Sequence, residues 1–187
     1  MTEDATFARL VSLACHDVRT PLATVFGFAR MLERAGSLDD QSARFVGMIS
    51  DASTEMAGLL DELATVARIE SGRWEPALAD ADTLDLAGSE DERVTAEGRG
   101  ELVQTDATTV RRSLNALAIA AVRHGPQDTV AWTVDGRTLE LAVVTPDAAP
   151  IVVGDEIRDL GALVARRVIE QLGGTLALEG DRLRVTL

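Results

Sequence analysis

Apolar residues recur at alternating spacings of four and three along the first third of the chain. Such spacing places them on one side of an α-helix, so it predicts a long helix over the N-terminal residues. The apolar stripe consists of Phe7, Val11, Ala14, Val18, Pro21, Val25, Phe28 and Leu32. The segment Ala35-Gly36-Ser37 supplies a glycine stop and a new helix start.

The same alternation returns after Asp39 and Asp40. The second stripe consists of Phe45, Ile49, Ala52, Met56, Leu59, Leu63 and Val66. Two amphipathic helices joined by a short loop predict an antiparallel hairpin. They cannot cover their stripes with each other alone, so a four-helix bundle formed by homodimerisation is the economical solution. In the alternative, the C-terminal half of the same chain covers the stripe.

The rest of the chain predicts mixed structure. Residues 74–101 are rich in Asp, Glu, Gly and Ala, which indicates a linker with short, weak strands. A helix capped by Thr105 or Asp106 and ending near Gly125 comes next. Strands over 129–134 and 138–144, a helix over 157–172, and strands over 175–178 and 182–187 complete the pattern.

This order predicts an α+β chain with two domains. A helical hairpin occupies residues 1–73, and an α/β sandwich with helices on a mainly antiparallel sheet occupies residues 74–187.

Charge and composition narrow the possible partners. The formal net charge is −13. Nucleic acids and anionic membranes bind proteins that carry clusters of Lys and Arg. We therefore expect neither as a main partner. No apolar run approaches the roughly 18 residues of a membrane span, and the first residues are acidic, so a cytoplasmic location is expected. Cys15 is the only cysteine, which excludes a disulfide framework, and we expect a partly buried thiol.

One histidine stands out against this pattern. With Ala14 and Val18 turned inward, His16 lies midway between them and faces solvent. Thr20 follows one turn later on the same side. Further along that side lie Ala23, Gly27 and Arg30. The small side chains among them would let another protein approach closely, and Pro21, inside the helix, predicts a kink.

The residues beside His16 suit nucleophilic chemistry. A neutral imidazole is a competent nucleophile near neutral pH. The carboxylate of Asp17 can hold the imidazole tautomer and stabilise the positive charge that develops during transfer. His16 is therefore a candidate acceptor of a phosphoryl group.

The run His-Asp-Val-Arg-Thr-Pro-Leu at residues 16–22 resembles the H-box of the dimerisation and histidine-phosphotransfer domain of bacterial histidine kinases. Residues 63–72 are similar to the segment that closes that domain. The resemblance implies that His16 carries the phosphoryl group and that Asp17 orients or deprotonates the His16 imidazole. It implies further that Thr20 places a water molecule when a partner is dephosphorylated. It also implies response-regulator receiver domains as partners, with Mg²⁺ held by the receiver.

The second half resembles the ATP-binding domain that follows the H-box in that family, but it departs from the pattern where nucleotide would bind. Ala120 stands where the family has a magnesium-ligating asparagine, and Asn115 is out of register unless the alignment shifts. Asp147 lacks the glycines that accompany it in the family, and the phosphate loop is reduced to residues 158–162. We expect a degenerate domain and no bound cofactor.

These observations predict a histidine phosphotransferase of the pseudo-histidine-kinase type, in which His16 passes a phosphoryl group between receiver aspartates. Two alternatives remain. The chain could be a divergent histidine kinase that still binds ATP, or it could be a non-catalytic adaptor that binds receivers. Thr20 also leaves room for a phosphatase role.

Overall fold

The computed structural model describes the backbone of residues 3–36 and 38–187, and the side chains of this part from residue 7 onward. Ser37, part of the predicted helix stop, lies outside it. The chain divides into two compact units, Met1–Arg73 and Trp74–Leu187. We call them the N-terminal unit and the C-terminal unit.

The N-terminal unit is a hairpin of two long helices, α1 (Glu3–Ala35) and α2 (Asp40–Glu70). Asp39 begins the second helix, because its side chain accepts a 2.7 Å hydrogen bond from the backbone N–H of Ser42. This bond lowers the pKa of Asp39 below its ordinary value. No helix in the described part of the chain is both long enough and apolar enough to cross a membrane.

The contact between α1 and α2 does not use the predicted stripe. Most of the stripe residues are exposed on the hairpin. The contact instead buries a neighbouring row with smaller side chains. That row consists of Ala8, Cys15, Leu22 and Ala29 on α1, and Val46, Ser50, Ser53 and Ala67 on α2. Small side chains let two helix backbones approach closely, whereas the larger apolar residues of the stripe are left outside the contact.

The C-terminal unit contains a five-stranded sheet in the order β2-β4-β5-β7-β6. Its strands are β2 (Val94–Gly100), β4 (Val130–Gly136), β5 (Thr138–Ala142), β6 (Thr175–Glu179) and β7 (Arg182–Thr186). Only the β2–β4 pair is parallel. Two further strands, β1 (Ala79–Asp82) and β3 (Leu102–Thr105), form a separate antiparallel pair.

Helices complete this unit. They are α3 (Thr83–Ala87), α4 (Ala107–His124), α5 (Ala149–Val152) and α6 (Leu160–Gln171). The buried faces of the helices and the sheet share one core, in which Trp132 of β4 is fully buried. The unit is thus the mixed α+β domain that the sequence predicts.

The segment 74–101, predicted as a linker with short, weak strands, does contain two strands, β1 and β2. It also contains the helix α3, which was not predicted, and β2 is seven residues long. Only Val94 of β2 is buried, so the strand lacks an apolar pattern. It is held by backbone pairing to β4, which passes close to Gly98. A Cβ atom on Gly98 would lie 2.1 Å from the carbonyl oxygen of Val134, and its φ of +121° favours glycine.

Asp106 ties two segments of the C-terminal unit together. One carboxylate oxygen caps α4 by accepting a 3.0 Å hydrogen bond from the Thr109 N–H, and the other accepts one of 3.1 Å from the Ala77 N–H. Burial opposes the charged form, but these hydrogen bonds outweigh it and the pKa of Asp106 lies below its ordinary value.

Asp106→Ala should lower the free energy of unfolding of the C-terminal unit by about 1–2 kcal/mol, because two backbone donors lose their acceptor. Urea unfolding followed by tryptophan fluorescence measures this loss, and both tryptophans, Trp74 and Trp132, lie in that unit. Because the folded pKa is depressed, the contribution is present above the unfolded value of about 3.9 and is lost as the pH falls below it. Asp106→Asn keeps only one acceptor oxygen, so it can cap α4 but cannot also accept from the Ala77 N–H. Its loss should be smaller than that of Asp106→Ala, and equal losses in both variants would contradict this account.

Pro21 lies inside α1, and the helix continues through it to Ala35. Proline cannot donate a backbone hydrogen bond to the carbonyl one turn earlier, and it is exposed here, so its ring gains little from burial.

Pro21→Ala should therefore raise the stability of the N-terminal unit by about 1–3 kcal/mol, because alanine restores the missing donor. Thermal or urea unfolding followed by circular dichroism at 222 nm, at one protein concentration, measures the change. Gln41→Ala, at an exposed position of α2, is the control and should leave stability within about 0.5 kcal/mol. A Pro21→Ala variant no more stable than the parent would show that the rest of the hairpin already compensates for the proline.

Candidate functional site: an exposed histidine on a two-helix hairpin

His16 projects into solvent from the middle of α1, with 76% of its side chain exposed. Its ring nitrogen Nδ1 lies 3.2 Å from Oδ1 of Asp17, whose side chain is 67% exposed. A carboxylate is an acceptor only, so Nδ1 carries the proton in this pair. The lone pair is then on Nε2, which is the nitrogen available to an electrophile.

The remaining candidate residues on α1 share this face of the helix. At about 100° per residue, Thr20, Ala23, Gly27 and Arg30 all lie within about 40° of His16, and all four are exposed. A methyl group added at Gly27 would meet no atom within 4 Å, so the surface is open there. Arg30 is not free of contacts. Its guanidinium lies 3.3 Å from Glu33 and 5.9 Å from the centre of the Phe26 ring.

Between this face and α2 lies a feature that the sequence did not reveal. Arg19 of α1 donates a hydrogen bond to Asp61 of α2 and so joins the helices one turn from His16. Next to the ion pair is a mostly apolar pocket of about 270 Å³. It is lined by Arg19, Leu22, Ala23, Phe26, Ser53, Thr54 and Ala57. No sequence signal links Arg19 to a residue 42 positions away.

Ser53 adds a polar atom to this pocket. Its side-chain oxygen is buried and has no hydrogen-bond partner among the residues that the structure describes. A buried hydroxyl without a partner is costly, so a donor or acceptor entering the pocket would be favoured.

The opposite side of the hairpin is apolar and exposed. On α1 the stripe residues Val18, Val25 and Leu32 lie about 160–200° around the helix from His16. The exposed large apolar residues of this side are Phe7, Val18, Val25, Phe28 and Leu32 on α1, with Phe45, Ile49, Met56, Leu59 and Leu63 on α2. A continuous apolar stripe of this length is typical of a surface that another helix covers.

In the C-terminal unit, the positions related to nucleotide binding differ in their surroundings, and Asn115 lines an open pocket of about 800 Å³. Ala120 is fully buried in α4 and belongs to the core. Asn115 accepts a 2.6 Å hydrogen bond from Ser89, and it lies about 140° around α4 from Ala120, so it cannot take the place of Ala120. The short helix α5 stands between β5 and α6, and its residues Ile151 and Val152 are buried.

The two aspartates of this region differ in environment. Asp147 is exposed in the turn before α5. Asp159 is buried at the start of α6, where Arg123 and His124 of α4 contact its carboxylate. Among the described residues, no group of three or more His, Cys, Asp or Glu side chains could hold a metal ion.

Comparison with known proteins agrees with the fold of both units. Residues 8–72 match the family model of the His Kinase A (phospho-acceptor) domain. The sensor protein DivL of Caulobacter vibrioides is 25% identical over 89% of this chain, which spans a quarter of the length of DivL. The sensor protein EvgS of Escherichia coli K12 is 31% identical over 43% of this chain and 7% of its own length.

A solved structure extends the likeness over both units. The crystal structure of full-length ShkA in complex with AMPPNP covers 95% of this chain and 44% of its own, with 22% identity and a TM-score of 0.66. Residues 8–72 are therefore similar to the His Kinase A (phospho-acceptor) domain, the chain is similar in sequence to the sensor protein DivL, and its fold resembles that of ShkA.

Proposed function

We propose that this chain is a histidine phosphotransferase of two-component signalling, in which His16 receives a phosphoryl group from the aspartate of one receiver domain and passes it to another. The observation that carries the proposal is the exposed His16 ring with Nδ1 held by Asp17. That arrangement leaves Nε2 as a nucleophile that needs no further activation to meet a protein-borne phosphoryl group.

The transfer is a reversible displacement at phosphorus. Nε2 of His16 attacks the aspartyl phosphate in line, a P–N bond forms, and the P–O bond to the receiver aspartate breaks, which returns that aspartate as a carboxylate. The imidazole becomes positively charged, and the carboxylate of Asp17 stabilises this charge through Nδ1–H. A second receiver aspartate then attacks the phosphohistidine. Mg²⁺ on the receiver would neutralise the phosphoryl oxygens.

The receiver is proposed to dock on the face around His16. Ala23 and Gly27 are small and exposed, so a partner backbone can come close to α1 there. The pocket beside the Arg19–Asp61 ion pair would accept a mainly apolar receiver side chain with a polar group that pairs with Ser53. Arg30 lies on the exposed face of α1 as a charged contact. Thr20, one turn from His16, would place a water if the chain also dephosphorylates receivers.

A homodimer is proposed because the stripe opposite His16 would otherwise stay in water. Covering it with a second hairpin gives a four-helix bundle and removes several large apolar side chains from solvent. In such a bundle the two His16 faces point away from the dimer contact, so docking and dimerisation use different surfaces.

The alternative function, a histidine kinase that still binds ATP, is favoured by one observation. Both units match the fold of ShkA, whose structure contains AMPPNP. Against it stand the buried Ala120, the filled region around α5 and the buried ion-paired Asp159. We therefore favour a protein donor over ATP.

Two labelling reactions distinguish these functions. The purified chain is incubated with [γ-³²P]ATP and Mg²⁺, and separately with a panel of ³²P-labelled phospho-receivers prepared with labelled acetyl phosphate. We expect an acid-labile label on the chain only in the second reaction. Labelling by ATP alone would establish that the chain is a histidine kinase. The absence of label in both reactions would leave the non-catalytic adaptor as the remaining function.

His16→Gln should abolish this label while the circular dichroism spectrum and the oligomeric state stay unchanged, because the side chain is exposed and lies opposite the apolar stripe. Asp17→Asn is the graded control. It should slow transfer by roughly 10–100-fold without abolishing it, because the charge on Nδ1–H is no longer stabilised. A His16→Gln chain that still accepts the label would place the phosphoryl group on another residue.

The dimer has its own test. Val25→Glu puts a charge in the centre of the exposed apolar stripe and should convert the dimer to a monomer in sedimentation-velocity experiments at micromolar concentration. Ala23→Glu is the matched control on the opposite face. It should leave the dimer intact and weaken transfer from the receiver. A Val25→Glu chain that stays dimeric would show that another surface holds the two copies together.

A further inference from the structure

Asp159 is an acidic residue at the start of α6, yet only 3% of its side chain is exposed. Within the described structure its carboxylate has three polar contacts. Arg123 Nη1 lies at 2.7 Å, His124 Nε2 at 3.2 Å and the backbone N–H of Ala162 at 3.1 Å. A buried carboxylate is stable only when such donors replace water.

The donors come from two distant parts of the chain. Arg123 and His124 are the last two residues of α4, whereas Ala162 lies in the first turn of α6. The carboxylate therefore joins the end of one long helix to the start of another. Positive charge from Arg123 and from the α6 N-terminus converges on this position, and the His124 ring lies beside it.

The segment leading to Asp159 is also held. Arg166 of α6 donates hydrogen bonds of 2.9 Å to the carbonyl oxygen of Val153 and 2.8 Å to the carboxylate of Asp155. Just before them, Val152 is buried in the core of the unit. Arg166 thus fixes the segment before Asp159 against α6.

We propose that Asp159 is an intramolecular latch whose carboxylate occupies an oxyanion position between the end of α4 and the start of α6 and holds α6 on α4 in place of an external ligand. The occupant of this position in the native chain is its own carboxylate. When that carboxylate is removed, the same donors accept a tetrahedral oxyanion such as inorganic phosphate. The latch does not depend on phosphotransfer by His16.

The experiment uses the full chain and follows thermal unfolding of the C-terminal unit by tryptophan fluorescence. Asp159→Ala should lower Tm by roughly 5–10 °C, because Arg123 and His124 lose their acceptor and α6 loses its cap. Sodium phosphate should restore several degrees with a saturable dependence on concentration, whereas sodium chloride at equal ionic strength should not. Wild-type protein should show only the small, non-saturating response that phosphate gives most proteins.

Two further variants make the test specific. Asp159→Asn keeps a helix-capping side chain and removes only the charge; it should lie between wild type and Asp159→Ala, and equal stability with wild type would overturn the latch. The double variant Arg123→Ala, Asp159→Ala should lose the saturable phosphate response. If phosphate stabilises Asp159→Ala no more than chloride does, or if the double variant still responds, the oxyanion position is refuted.

Discussion

The close contact between α1 and α2 determines how the N-terminal unit works. It is made by small side chains, among them Ala8, Cys15 and Ala29, which allow the two helix backbones to come together. Burying Cys15 in this contact turns the next residue, His16, about 100° away from α2 and into solvent. Large residues of the stripe, such as Val18, Val25 and Leu32, face the side opposite His16. One helix phase thus leaves His16 exposed and places an apolar stripe on the other side of α1.

The sequence predicts the two helices correctly because the apolar spacing is long and regular, and it predicts the exposure of His16 because that depends only on helix periodicity. The residues of the hairpin contact were not predicted, because hydrophobicity alone does not distinguish the face that packs closely from the face that packs against a further partner. Cys15 was expected to be partly buried and is 2% exposed. The Arg19–Asp61 ion pair has no local signal, since it depends on the register of two helices. In the C-terminal unit, β2 was predicted only as a short, weak strand within a linker, because backbone pairing beside Gly98 holds it in place of apolar side chains.

The exposure of the His16–Asp17 pair has an energetic consequence. The His16 ring and the Asp17 carboxylate are mostly in water and interact weakly, because the solvent screens them. The same pair interacts more strongly once a partner covers it and excludes water. A receiver docked on the proposed face would exclude water from this pair and so strengthen its interaction during phosphoryl transfer.

In the C-terminal unit, aspartate side chains of the unit itself cap α3, α4 and α6. The methyl group of Ala120 lies in the apolar core, where a metal-ligating side chain would have to be hydrated or paired. Asp159 adds a negative charge at the start of α6, where the helix dipole would otherwise attract an external anion. A phosphate group approaching this position meets a carboxylate already bound to Arg123 and His124, so it must displace that carboxylate and pay the cost of exposing it.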